Sequence, residues 1–452
     1  MIKRIKTFLR KIYSKQNLRI LMSLLLLAVV VLAGCQGQSI LDAVFPQKEE
    51  VPGNSPPVPS SDDASKIEPI PTPAAPKIIN LTIWIPEQFD LNGESNAARL
   101  LYQRIHEFSN DNPQVHLDVR VKSTTGAGSI LETLAAASAV APNALPSLIL
   151  ISRSDLVQAA SKNLLFPIES FTEITSENDW FDISRELGKY QGTMYCFPFA
   201  VNAIGLVQEN ARLGSDQPTW EDMIRQSDQL LFASGDPEAL TTLALYQSAG
   251  GILTDSTGQP YLDSNALNEV LSAYNDAAKR NRLSGSVLDY QTDGQVWDDF
   301  LNTTNSSALT WSNHALADPV SFQLALLPSL GDEPFTYAGG WVWCLTEPQE
   351  QERIYSVSFA EFLSAPEFLA EWAPESGYLP VRPSSVTGFS NIELQSTISK
   401  MLLSTRVRPD KNAISEIGAE IKTSISEVLQ QQFSPEESAL NAVKRLEATK
   451  SQ

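Results

Sequence analysis

The alternation of strand and helix patterns over residues 78–151 constrains the fold more than any other feature of the sequence. A short apolar strand pattern comes first, and apolar residues at helical spacing follow it. Residues 115–122 then alternate between apolar and polar, as in a strand with one solvated face. An Ala-rich helix pattern and a continuous apolar run at residues 148–151 complete the series. Strand, helix, strand, helix and strand in this order predict a doubly wound α/β sheet flanked by helices.

The last third of the chain has the features of helices rather than strands. Ser364 with Glu367, and Ser434 with Glu437, each have the spacing of a capping box at a helix start. Over residues 414–429, Ile and Leu recur at three- and four-residue intervals and form one apolar stripe. We therefore predict a mostly helical segment here.

The charge and the residue counts exclude several classes of protein. A formal net charge of −20 argues against a nucleic-acid binder, because binding to phosphates needs surplus Lys and Arg. With three Cys and three His, neither a disulfide scaffold nor a His-rich metal site is expected, and we expect no cofactor. The sequence also lacks the phosphate-binding loop, the zinc-protease motif and the nucleophile elbow, so we expect a protein that is not an enzyme.

The N-terminus has the pattern of an export signal. Residues 1–19 carry seven basic side chains and no acid, and an apolar run of 13 residues follows at 20–32. The run ends in Leu32-Ala33-Gly34-Cys35, which closely resembles a bacterial lipobox. We interpret residues 1–34 as a lipoprotein signal peptide and Cys35 as the lipidated residue. The alternative is a plain signal anchor with an incidental Cys.

Residues 35–77 are predicted to form a tether. They are rich in Pro, Ser and Asp and contain one aromatic residue, Phe45, so they cannot bury a core of their own. The folded body is expected at residues 78–450.

A series of short sequence blocks follows in order along the body, at residues 81–84, 108–113, 145–150, 163–168, 190–199, 218–220, 250–253, 308–311, 327–328, 339–341, 360–363 and 377–382. Among them are Pro218-Thr219-Trp220 and Gly339-Gly340-Trp341. By these blocks the body resembles the extracellular solute-binding proteins of ABC importers, in the sugar-binding class that includes maltose- and oligosaccharide-binding proteins. Pro218-Thr219-Trp220 matches a helix start of that family, and Gly339-Gly340-Trp341 matches its returning segment.

The resemblance implies a two-lobed α/β fold of the periplasmic-binding-protein type (type II), with a doubly wound sheet in each lobe. Lobe 1 would cover about 78–199 plus 341–385, and lobe 2 about 203–337 plus 386–450. A ligand would bind in the cleft between the lobes, which closes by a hinge motion.

The resemblance also implies a set of ligand-binding residues. A sugar presents apolar C–H faces and a rim of hydroxyls, so its site needs flat aromatic rings and fixed polar groups. The candidates are Trp311, Asn202, Trp341, Arg153, Ser152, Gln88, Asp155 and Tyr378. Relatives often have a further aromatic near residues 405–409, where this chain instead has Arg406 and Arg408, which would suit an acidic substituent.

Two Cys remain after Cys35. By the resemblance, Cys196 and Cys344 lie on neighbouring strands that cross between the lobes, so a disulfide could join them. The alternative is a pair of small thiols buried in apolar strands.

Together with the resemblance, these observations predict the extracytoplasmic substrate-binding component of an ABC importer for a carbohydrate. Its partners would be a small-molecule ligand, the permease subunits and, through the N-terminal lipid, the cell membrane, with the protein itself a monomer. Two alternatives stay open: a ligand-sensing lipoprotein without transport, and a secreted carbohydrate-active enzyme, against which the missing motifs argue. Glycosidases use pairs of carboxylates, but adjacent acids such as Asp298 and Asp299 diverge on any regular element, and we interpret them as part of a solvated face.

Overall fold

The computed structural model describes residues 78–209, 216–226, 228–409 and 411–450. The predicted signal peptide, the lipidated Cys35 and the tether lie outside the described residues. None of the helices in the described ranges combines the length and the hydropathy that a membrane span requires.

The described residues alternate between strands and helices through most of their length. The strands are β1 (Ile79–Pro86), β2 (Val115–Lys122), β3 (Leu148–Ser152), β4 (Lys189–Tyr190), β5 (Thr193–Met194), β6 (Cys196–Glu209), β7 (Gln229–Leu231), β8 (Ser306–Trp311), β9 (Phe322–Leu326), β10 (Thr336–Leu345) and β11 (Thr405–Val407). The α-helices are α1 (Asn96–Asp111), α2 (Ile130–Val140), α3 (Arg153–Ser161), α4 (Asp182–Leu187), α5 (Trp220–Arg225), α6 (Leu240–Ser248), α7 (Ser264–Lys279), α8 (Asp293–Asn302), α9 (Asn313–Ala317), α10 (Glu350–Leu363), α11 (Pro366–Ser376), α12 (Ile392–Ser404), α13 (Lys411–Leu429) and α14 (Pro435–Lys450). Short 3-10 helices lie at Glu87–Phe89, Pro142–Ala144, Ile174–Ser176, Gly285–Asp289 and Pro383–Gly388.

One large sheet organises the body. Its strand order is β2-β1-β3-β10-β6-β8-β7, with β11 paired to β10 and β9 paired to β6. Strand β1 pairs in parallel with both β2 and β3, and helices connect these strands. Strand β10 runs antiparallel to β3 and to β6. The predicted α/β class, with a sheet flanked by helices, is confirmed.

Strands β6 and β10 run through two hydrophobic cores. The first half of β6 pairs with β10, and its second half pairs with β8 and β9. The first core is built mainly from residues 79–207 and 342–402, and the second core mainly from residues 204–337 and 414–446. Each core therefore joins two separate stretches of the sequence. The lobe boundaries implied by the resemblance stay a prediction.

Helix starts are fixed by side-chain caps, as the sequence indicated at several points. The Ser434 Oγ accepts a hydrogen bond from the Glu437 backbone N–H at 3.3 Å, and the Glu437 carboxylate accepts one from the Ser434 N–H at 3.0 Å. This capping box was predicted and is confirmed. The predicted box at Ser364 is wrong, because Ser364 closes α10: its N–H donates to the Ala360 carbonyl at 3.0 Å, and α11 begins two residues later at Pro366.

Cys196 and Cys344 lie directly opposite each other on β6 and β10. Their Cα atoms are 4.2 Å apart, and the sulfur atoms form a disulfide that spans 148 residues of sequence. Both residues are fully buried in the first core. A bridge that closes so long a loop lowers the conformational entropy of the unfolded chain. In the chain-entropy description, this stabilises the folded state by about 5 kcal/mol.

Thiol titration checks this bridge. In the Cys35→Ser variant, unfolded without reductant, we expect no reactive thiol, because the two remaining sulfurs are bonded to each other. After reduction we expect two. Two thiols before reduction would mean that the disulfide does not form in the exported protein.

Candidate functional site

A cavity of about 640 Å³ lies beside both cores. Trp341 in its lining packs against the first core, and Trp311 packs against the second. This volume is in the usual range for sites that bind small molecules. The lining residues are Ser152, Arg153, Ser154, Val157, Gln158, Asn202, Glu238, Trp311, Gly339, Gly340, Trp341, Arg408 and Pro409.

One side of the cavity is formed where β3 ends and α3 begins. Ser152 is the N-cap of α3, and its Oγ accepts a hydrogen bond from the Asp155 N–H at 3.2 Å. The same hydroxyl donates to the Asp155 carboxylate at 2.9 Å. Burial raises the pKa of Asp155, and the hydrogen bonds from Ser152 partly offset that rise. Asp155 therefore serves the cap and does not line the cavity, whereas Ser152 and the half-buried Arg153 do.

The floor of the cavity consists of β10 and the facing part of β6. Asn202 lies opposite Gly339, and its side-chain oxygen accepts hydrogen bonds from the Ser312 hydroxyl at 2.8 Å and the Asn313 N–H at 3.1 Å. Its amide nitrogen donates to the Asn313 Oδ1 at 2.8 Å. The Asn202 side chain is thus fixed in one orientation at the cavity floor.

The two adjacent glycines of β10 have different roles. A Cβ atom at Gly340 would lie 2.3 Å from the Ala200 carbonyl oxygen, so only glycine allows β6 and β10 to approach this closely. A Cβ atom at Gly339 would meet no atom within 4 Å. Because side chains alternate along a strand, that Cβ would lie on the same face as Trp341, which lines the cavity. Gly339 therefore leaves open space for a ligand.

Trp311 stands at the end of β8, and its backbone is fixed by Asp293 at the start of α8. The Asp293 Oδ1 accepts hydrogen bonds from the Trp311 N–H at 3.3 Å and from the Thr310 hydroxyl at 2.5 Å. The Asp293 Oδ2 lies 2.6 Å from the Nε2 of His314, whose ring stacks on Trp297. The indole of Trp311 is half-buried and lines the cavity from a rigid support.

An ion pair between Glu238 and Arg408 completes the lining. The backbone N–H of Arg408 donates to the Ala338 carbonyl at 2.9 Å, directly after β11 leaves β10. Gly418 of α13 passes so close to Glu238 that a Cβ there would lie 2.8 Å from the Glu238 carbonyl. The sequence reasoning did not identify Glu238, since 170 residues separate it from Arg408 and no local pattern indicates the pair.

Glu238, Arg408 and Trp311 also line a second cavity of about 260 Å³. Acidic side chains of this smaller cavity already hold structural hydrogen bonds. The Asp236 carboxylate, for example, accepts the backbone N–H groups of Glu238 and Leu240, each at 3.1 Å, and so caps α6.

Gln88 and Tyr378, which were predicted as ligand-binding residues, do not line the main cavity. They line a separate cavity of about 130 Å³ next to Trp372. The Tyr378 ring stacks on Phe89 with a centroid distance of 5.9 Å. Burial raises the pKa of Tyr378, and a hydrogen bond with the Trp341 side chain partly offsets this. Tyr378 thus contributes to the packing behind Trp341 and does not line the main cavity, so its contact with a ligand stays a prediction.

The predicted residues that the structure brings together at the main cavity are Ser152, Arg153, Asn202, Trp311 and Trp341. Arg406 is exposed, and its guanidinium donates to the Thr405 carbonyl at 3.0 Å, so of the two arginines considered there only Arg408 reaches the cavity. In the part of the chain that the structure describes, no group of three or more His, Cys, Asp and Glu side chains could hold a metal ion. A cavity lined by two indole rings and a few fixed polar groups is typical of sites that bind a small molecule reversibly.

Solved structures with the same fold bind sugars or related solutes. The cyclic alpha-maltosyl-1,6-maltose binding protein from Arthrobacter globiformis is 18% identical, with a TM-score of 0.65 over 82% of this chain and 98% of its own. The sugar-binding protein MalE from the phytopathogen Xanthomonas citri is 18% identical, with a TM-score of 0.65 over 81% of this chain and 96% of its own. UgpB from Mycobacterium tuberculosis, solved with glycerophosphocholine, is 16% identical, with a TM-score of 0.58 over 82% and 98%.

These similarities confirm the predicted two-lobed binding-protein fold. No curated protein sequence matches the chain significantly. The family model described as "Bacterial extracellular solute-binding protein" matches residues 103–396, which is more than half of the chain. The chain belongs to the bacterial extracellular solute-binding protein family.

Proposed function

We propose that the protein is the substrate-binding component of an ABC importer and that its ligand is a carbohydrate. The observation that carries this proposal is that Trp311 and Trp341 line one cavity together with the fixed amide of Asn202. Indole rings can cover the apolar C–H faces of a sugar, and an oriented amide can bind its hydroxyls. The names of the structural neighbours, several of which are maltose- or maltodextrin-binding proteins, support the same ligand class.

The proposed mechanism is closure of the cavity around the ligand. Strands β6 and β10 connect the two cores, and the cavity is lined from the side of each. A ligand that touches both sides favours the closed arrangement by its differential affinity for that state. The closed, loaded protein would then present the ligand to the permease.

A thermal-shift screen over neutral and acidic mono- and oligosaccharides tests the ligand class. A ligand present at 100 times its Kd should stabilise the protein by about 2.7 kcal/mol and raise the unfolding temperature by roughly 3 °C. Amino acids, peptides and polyamines serve as the comparison set. Binding to a member of that set, with none to any carbohydrate, would overturn the proposed ligand class.

Trp311→Ala should weaken carbohydrate binding roughly 5- to 150-fold, or about 1–3 kcal/mol, because the ligand loses an aromatic surface. Isothermal calorimetry measures the change. Trp311→Phe is the matched control: it keeps a flat apolar ring and should recover most of the affinity. Equal affinity of Trp311→Ala and the unmodified protein would remove Trp311 from the site.

The family is extracellular, and we propose that this member is held at the membrane by a lipid on Cys35. The lipobox-like sequence before Cys35 supports this. Cys35→Ser should abolish lipid attachment, so that the protein is either released or left unprocessed. Fractionation and intact-mass measurement check the result, and unchanged mass with unchanged membrane retention would contradict the proposal.

A further inference from the structure

The charges around the cavity differ in sign from the protein as a whole. The chain has a net charge of −20, yet the ionisable side chains that line the main cavity are Arg153, Arg408 and Glu238. Among the described residues of the lining, two ionisable side chains are therefore cationic and one is anionic. A site for a neutral ligand would not need cationic side chains in its lining.

The carboxylate in this set is directly paired. Glu238 forms its ion pair with Arg408, and the Glu238 side chain is 11% exposed against 28% for Arg408. The guanidinium is therefore the more accessible member of the pair. Arginine carries five N–H donors in a planar fork, so one edge can hold Glu238 while another donates to a ligand.

The second arginine stands at a favourable place for an anion. Arg153 is the first residue of α3, a helix of nine residues whose N-cap, Ser152, also lines the cavity. The first turn of a helix has N–H groups that no carbonyl of the helix accepts, and its dipole favours negative charge. The nearby Asp155 is turned onto the Ser152 hydroxyl and does not line the cavity.

Two described acids of the neighbouring cavity, Asp236 and Asp293, are also engaged in hydrogen bonds. Asp236 caps α6, and Asp293 holds the end of β8 and contacts His314. Their carboxylates lie in the smaller cavity on the far side of Trp311 and the Glu238–Arg408 pair. Among the described residues, Asp236 and Asp293 therefore add no negative charge to the lining of the main cavity, while Glu238 and Arg408 line both cavities.

We propose that the main cavity binds an acidic sugar, one that carries a carboxylate or a phosphate, with the anionic group bound by Arg153 and Arg408. This rests on the proposed carbohydrate-binding function and narrows its substrate class. Arginine pairs with either oxyanion through two parallel hydrogen bonds, which gives both affinity and geometric selection.

Calorimetry with matched sugars tests the proposal. The probes are neutral mono- and disaccharides, the same sugars with a terminal uronic acid, and their 6-phosphates. We expect the acidic form of at least one sugar to bind about tenfold or more tightly than its neutral counterpart. Raising NaCl from low to high concentration should weaken the acidic ligand more than the neutral one. The uronate and phosphate arms distinguish the two oxyanions.

Two variants connect the preference to the named residues. Arg153→Gln should remove most of the preference while keeping the fold. The double variant Glu238→Gln/Arg408→Gln removes the pair without leaving a buried lone charge, and it should reduce the preference further. Arg120→Gln is the control for Arg153→Gln: Arg120 is exposed on β2 and pairs with Asp118, and its replacement lowers the net charge by the same amount, whereas the double variant leaves the net charge unchanged.

The outcomes are separable. A neutral sugar that binds more tightly than its acidic forms would overturn the acidic-sugar proposal and leave the carbohydrate function standing. A preference that survives both Arg153→Gln and the double variant would also overturn it. The absence of binding to every sugar would overturn the carbohydrate function itself.

Discussion

Replacing Gly339 by isoleucine should abolish ligand binding without lowering the unfolding temperature. The new side chain would enter the cavity on the same face as Trp341, where a Cβ meets no atom within 4 Å. The backbone of Gly339 does not have a positive φ, so a β-branched residue fits this strand. We expect at least about a 100-fold loss of affinity, equivalent to about 2.7 kcal/mol, by calorimetry.

Gly340→Ala is the matched control for this experiment. Its Cβ would lie 2.3 Å from the Ala200 carbonyl oxygen, so β6 and β10 would have to separate. We expect a loss of stability of about 1–3 kcal/mol, as for other overpacked positions. Undiminished binding by Gly339→Ile would show that the ligand does not occupy this cavity.

Trp343→Ala should lower the free energy of unfolding by about 3–5 kcal/mol. Trp343 is fully buried in the first core, with ring centroids of Phe199 at 5.6 Å and Phe359 at 6.5 Å. The alanine would leave a large void among rings that cannot collapse into it. Denaturant unfolding followed by circular dichroism measures the loss.

Trp343→Phe separates the volume of the ring from its polar atom. Among the described residues no acceptor takes a hydrogen bond from the buried Trp343 indole N–H. Phenylalanine removes that group and keeps most of the packing, so its cost should stay below about 1.5 kcal/mol. Equal destabilisation by both variants would contradict the packing explanation.

The fold could be predicted where the pattern is local. The alternation over residues 78–151 indicated the parallel strands β1, β2 and β3 and the helices between them, since each element has its own periodicity. The failure at Ser364 has a local cause as well. Two helices follow each other there with almost no linker, and the chain uses the serine to end the first rather than to begin the second.

The site was less predictable because its geometry depends on distant pairings. The resemblance of the surrounding sequence to the family predicted Trp311 and Trp341 as ligand-binding residues, but only the structure places them at one cavity. The sequence did not indicate Glu238, because its place in the cavity lining depends on the ion pair with Arg408 and on the close approach of Gly418. Tyr378 has a ring type suited to a sugar site, yet burial beside Phe89 and Trp372 gives it a packing role. Ligand contact by the nominated residues stays a prediction.

The division of each core between two stretches of sequence has a consequence for how the chain acquires its structure during synthesis. The first core needs residues up to about 402, and the second needs α13 and α14, whose Ile417, Ile421 and Ala442 are fully buried. Neither core is therefore complete until most of the C-terminal third has been synthesised. We expect both cores to fold late, when translation is nearly finished.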